Sequence, residues 1–226
     1  METILRSKDG SAHVTNERIN TITHLVAACL AVLGAALLIA QASAQGKPWK
    51  IVSLSIYGLA LASLFIASTL HHGLNRSPKI NRILQTIDYS AVFFLIAGTV
   101  TPIVLVLYRN LFGWTVLGVI WAIAAFGIIM RSVFSQLPKY VTNSLYIILG
   151  WIPIVLIGEK SSLPLGALLL LGLGGITYTT GFFIYIIERP NLKRGIFGFH
   201  ELWHCLVIVA ATMQYFMIYF YVLPKW

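Results

Sequence analysis

The chain has 226 residues, 58% of them hydrophobic and only 10% charged. A soluble domain carries about 25% charged residues, so most side chains here have no use for water. The formal charge of +9 does not indicate a nucleic-acid binder, because the 16 Lys and Arg are spread through loops between apolar runs rather than gathered in an arm.

Each crossing of a bilayer core takes about 20 apolar residues. Seven apolar runs predict an all-α fold, a seven-transmembrane helix bundle forming one membrane domain over residues 1–226. The spans are expected at about 22–41, 51–72, 84–107, 113–131, 143–158, 165–187 and 200–221. The first lacks the small-residue cleavage pattern of a signal peptide and is read as a mature helix.

Breaks fall at Gly46–Pro48, at Gly73–Pro78, at Arg109–Gly113, at Pro138 and Lys139, at Gly158–Pro164 and at Arg189–Gly195. Ser77 followed by Pro78 has the form of an N-cap with proline at the first helical position. Pro102 falls inside the third span, where a kink is expected. The sixth carries Gly166, Gly172, Gly174, Gly175 and Gly181, which would let a neighbouring helix approach closely. Cys29 and Cys205 stand alone in apolar runs and read as buried, reduced thiols. Trp49, Trp114 and Trp226 are expected in interfacial belts.

The basic residues set an orientation. With the N-terminus in the cytoplasm, eleven of them lie on the inner side and five on the outer side, namely Lys47, Lys50, Arg109, Lys160 and Lys225. Positive charge gathers on the cytoplasmic side, so the N-terminus is expected inside and the C-terminus outside.

Ionisable residues within membrane spans are costly and mark function. Here they converge on one membrane depth. His24 opens span one, Ser68 and His72 close span two, Asp88 lies early in span three, and His200, Glu201 and His204 open span seven. His200 and His204 are four residues apart and share a helix face, as do Ser68 and His72. Glu17, Asn20 and His24 also share a face and are expected to support the site. His13 and His71 are expected to be interfacial or hydrogen-bonded.

Three imidazoles, His72, His200 and His204, match the ligand number of a catalytic zinc site with one open position. Asp88 is placed to accept a proton from the water that Zn2+ activates. His200-Glu201-Leu202-Trp203-His204 also reads H-E-x-x-H, in which the glutamate of a metalloprotease is the general base. No Asp, Glu or His follows His204, so a third ligand must come from upstream. The spacing alone does not assign Glu201 to the metal or to solvent.

Ser68-x3-His72, Asp88 and His200-x3-His204, in that order, resemble the signature of the progestin and adiponectin receptor family. Glu17-x2-Asn20-x3-His24 resembles its opening motif. Ser68-Thr69-Leu70-His71-His72-Gly73 resembles the second, although His71 stands where tyrosine is common. Asp88-Tyr89-Ser90, Ala97-Gly98-Thr99-Val100-Thr101-Pro102 and Phe199–Val207 extend the likeness over nearly the whole chain. The short N-terminus points to the bacterial hemolysin III branch, and so to the bacterial inner membrane.

The resemblance implies Zn2+ on His72, His200 and His204, Asp88 acting on the activated water and Ser68 beside it. It implies a zinc-dependent hydrolase of lipid amides or esters, engaged in membrane lipid homeostasis and with membrane lipids as partners. A homo-oligomer is also compatible with it. The competing reading is a non-catalytic sensor of membrane state with structural zinc. Two lesser ones are an intramembrane protease and a pore-forming haemolysin. The apolar spans offer no polar stripe to line a wide pore.

Overall fold

A computed structural model describes residues 8, 11, 13–134, 139–158 and 163–225. Among the described residues the regular structure is entirely helical. The helices are α1 (Glu17–Ala44), α2 (Pro48–Gly73), α3 (Pro78–Leu107), α4 (Leu111–Val133), α5 (Lys139–Trp151), α6 (Val155–Gly158), α7 (Leu165–Ile187) and α8 (Phe199–Met217). A 3-10 turn at Ile152–Ile154 joins α5 to α6, and a π turn at Ile218–Val222 extends α8.

Among the described residues, six helices are long and apolar enough to cross a membrane: α1 to α4, α7, and α8 with its π turn. Their surfaces reverse the pattern of a soluble protein. Leu30 and Leu59 are 62% exposed and Leu165 71%, while Asn20, Ser68, His72, Glu201 and His204 are buried. Apolar side chains turned outward beside polar ones turned inward suit a hydrocarbon solvent.

The helix ends obey local chemistry. Asn16 caps α1 by accepting from Ile19 N at 3.2 Å. Ser77 caps α3 as expected, accepting from Ile80 N at 3.5 Å, with Pro78 following. Asn110 caps α4 at 2.8 Å. The orphan amides of the first turn are thereby satisfied. The helix α3 runs through Pro102.

Consecutive helices α1, α2 and α3 pack side by side, α4 leans on α3, and α7 packs on α8. Gly174 and Gly181 meet the expectation of close approach. A side chain at 174 would strike Gln214 and one at 181 would strike Trp203, both on α8. Gly172 and Gly175 face open space instead.

Several expectations shift. The first and third spans begin earlier than expected, at Glu17 and Pro78. The fifth is not one helix. Pro153 has no amide to donate and the helix tightens to a 3-10 turn there. Lys139, expected in a loop, opens α5. Cys29 is exposed on the outer apolar surface rather than buried, while Cys205 is half-buried and both thiols are free. Trp49 and Trp114 meet edge to face, their centroids 5.9 Å apart and each partly exposed, at the starts of α2 and α4. Pro138, Lys160 and Trp226 lie outside the described residues.

Candidate metal centre

The antiparallel course of the helices brings the starts of α1, α3 and α8 to the same end of the bundle as the last turn of α2. His72, His200 and His204 meet there. Each offers a ring nitrogen, and these nitrogens lie within 4.8 Å of one another. The rings are 4.8 to 5.1 Å apart, centroid to centroid. None of the three residues is more than 4% exposed.

The rings are held by neighbours. Glu17 Oε2 lies 2.6 Å from His72 Nδ1. The carboxylate can only accept there, so Nδ1 carries the proton and Nε2 keeps its lone pair. A carboxylate behind a histidine in this way fixes the tautomer of a metal ligand and raises its basicity. His24 stacks on His204, with centroids 3.7 Å apart and planes 16° from parallel, and meets Phe65 edge to face. Tyr185 packs against the His200 ring at 5.7 Å.

Both ring nitrogens of His24 and Nδ1 of His204 are buried with no hydrogen-bond partner among the described residues. Orphaned imidazole nitrogens are costly to bury, whereas a divalent cation would use such lone pairs. Three neutral imidazoles with one fixed by a carboxylate fit zinc.

Asp88 does not join that trio. It clusters with His71 and His72, again with donor atoms within 4.8 Å of one another. The Asp88 carboxylate therefore approaches the centre from the His72 side. His71 is 3% exposed, inside the bundle end. Ser68 is 3% exposed, one turn below His72 on the same face of α2.

Glu201 turns away from the trio. Its Oε2 accepts from Gly198 N at 2.7 Å, capping its own helix. Its Oε1 accepts from the backbone amide of Asn16, and from Asn20 Nδ2 at 3.4 Å. Asn20 is thus tied to Glu201 rather than to the trio.

Residues with no motif also surround the centre. Lys8 Nζ donates to the carbonyls of His71, His72 and Leu74 at 2.8 to 3.0 Å. Tyr185 and Tyr89 hydroxyls are 3.1 Å apart, and the Arg131 guanidinium sits 4.5 Å over the Tyr89 ring. Beside Tyr185 and Phe199 opens a cavity of about 640 Å³, bounded also by Ser11, Ser144, Phe182 and Glu188. A polar terminus and isolated tyrosines in apolar helices give no periodic signal that would have marked them.

The haemolysin-III related family model matches residues 12–215. The chain belongs to this family. It is 35% identical over 212 residues to a hemolysin-3 of Bacillus cereus, covering 93% of this chain and 94% of that one. It is 32% identical over 209 residues to the hemolysin-3 homolog of Bacillus subtilis (strain 168), covering 92% and 95%. A more distant likeness, 26% over 207 residues, covering 89% of this chain and 82% of the other, joins it to the human monocyte to macrophage differentiation factor. As a haemolysin III family member with six membrane-capable helices, it is a multi-pass protein of the cell membrane.

Proposed function

We propose that this haemolysin III family protein is a zinc-dependent hydrolase of lipid amides or esters, with its centre at the cytoplasmic end of seven crossings. The observation that carries the reading is the buried trio His72, His200 and His204 with a carboxylate, Asp88, beside it but outside it.

The ends of α4 and α7 support a seventh crossing. Arg131, in the last turn of α4, lies over Tyr89, near the level of Asp88. Gly166, at the start of α7, meets Tyr221 beyond the far end of α8. A crossing by the chain between would join these two ends. Residues 139–158, at about 1.5 Å each, reach across a hydrocarbon core of ~30 Å. An odd number of crossings leaves the termini on opposite sides, and the charge bias favours the N-terminus inside.

Zinc bound to the trio would supply a Lewis acid for a carbonyl and lower the pKa of water beside it. The chain's own residues do the rest. Asp88 takes the proton from the attacking water and returns it to the leaving amine or alcohol. Glu17 holds the His72 ring, His24 fixes the plane of His204, and Ser68 offers a hydroxyl near the reacting carbonyl. The aromatic-lined cavity accommodates an acyl chain, as an amphiphile from the bilayer requires.

The protease reading loses its base. Glu201 spends both carboxylate oxygens on backbone amides of Gly198 and Asn16, which supports a structural role for the H-E-x-x-H glutamate. One observation favours a non-catalytic centre: direct packing between α2 and α8 is sparse among the described residues, so a metal joining His72 to His200 and His204 would staple the two helices.

The protein in lipid nanodiscs, offered acyl amide and acyl ester lipids, separates the readings by release of free fatty acid. Hydrolysis is expected from the wild type and not from Asp88→Ala, with zinc retained in both. Zinc-loaded wild type that releases no acid from any lipid class leaves the staple.

A further inference from the structure

The described residues before α1 fasten to the helix ends that carry the proposed ligands. Lys8 bonds three carbonyls in and just after the last turn of α2, the turn that ends in His72. Those carbonyls have no intrahelical partner, so the ammonium both satisfies them and complements the negative end of the helix. The Lys8 carbonyl accepts from Gln85 Nε2 of α3 at 3.3 Å, one turn before Asp88. Ser11 is 3% exposed and donates to Glu188, just past α7, at 2.8 Å. The His13 amide donates to Ser11 Oγ at 3.0 Å, and the His13 ring meets Phe199. Asn16 N donates to Glu201, one residue from His200.

Fastenings on four helix ends would be excessive for anchoring one terminus. They fall at the bundle end that holds the trio, and Glu201, only 1% exposed, receives three N–H donors on one carboxylate. Charge-assisted bonds of this kind are the strong ones. Ser11 and Glu188 also form part of the wall of the cavity beside Tyr185 and Phe199. Parting them would widen that cavity toward His200.

We propose that Lys8, Ser11 and His13–Asn16 form a strap that closes this end of the bundle, latched by Lys8 on α2 and by Glu201 on α8, and that its release governs exchange of ion and water with the histidine trio. Glu201 is on this account the anchor of the strap and not a base. The ion-exchange part rests on the metal-centre reading; closure of the strap does not.

The test uses the full chain in nanodiscs and two readouts. One is the rate at which zinc passes to excess chelator. The other is amide hydrogen exchange of residues 13–24, followed by mass spectrometry. Lys8→Ala and Glu201→Gln are compared with Lys79→Ala, a change at an exposed site on α3. Both latch variants should begin with as much zinc as the wild type. Both should release it at least about tenfold faster, as expected when bonds to a charged group are lost, and exchange faster over residues 13–24. Lys79→Ala should match the wild type.

Rates equal to wild type in Lys8→Ala overturn the strap. So does acceleration confined to Glu201→Gln, which would report only the lost cap of α8. Wild-type protein that takes up no zinc refutes the metal centre instead, and hydrogen exchange then decides the strap alone.

Discussion

Glu17 and Asp88 are both carboxylates near His72, yet geometry gives them different work. Glu17 bonds Nδ1 directly and so sets which nitrogen faces inward. Asp88 lies within reach of His71 and His72 but apart from His200 and His204. Glu17→Gln should therefore weaken zinc affinity by about 10- to 100-fold, measured by competition with a chelator of known affinity. Asp88→Ala should leave affinity within a few-fold and remove turnover. The reverse pattern would exchange their roles. The i, i+4 spacing of His200 with His204, and of Ser68 with His72, made the candidate centre legible because a helix turns that spacing into a shared face. Glu201 was not legible. The same H-E-x-x-H letters serve a base or a cap, and only the backbone amides around Gly198 and Asn16 tell them apart.

Packing between α7 and α8 rests on missing side chains. Gly181 leaves room for Trp203, which itself packs at a tilt against Tyr185 and so backs the ring that meets His200. Gly181→Leu should destabilise the protein by about 1–3 kcal/mol through overpacking and lower its melting temperature in detergent. Gly172→Leu, facing open space, should not. A melting temperature unchanged in Gly181→Leu would mean that the helices are not held in this contact. The long apolar runs announced six of these helices plainly. The α5–α6 segment was read as one span because its residues are apolar throughout, and hydropathy does not register that Pro153 withholds an amide. The strap was invisible for the opposite reason: Lys8 and Ser11 belong to no periodic apolar pattern, and their partners are some 60 to 180 residues away.

At the scale of the molecule, the bundle gathers its buried ionisable groups at the end where α1 begins, and Lys50, buried at the other, donates to the Leu223 carbonyl beyond α8. The proposed orientation, set by the loop Lys and Arg, puts the first end in the cytoplasm. In cells, a cysteine placed at exposed Lys79 should be shielded from a membrane-impermeant maleimide until the membrane is opened, whereas one placed at Lys225 should react at once. The opposite labelling would invert the topology and move the centre to the outer face.

The most direct test of the account is the metal content of purified protein, wild type beside His200→Ala, after equilibration with zinc. About one zinc per chain, lost in the variant, is the result the histidine trio predicts. Wild-type protein without bound metal, or a variant that keeps its full complement, would contradict it.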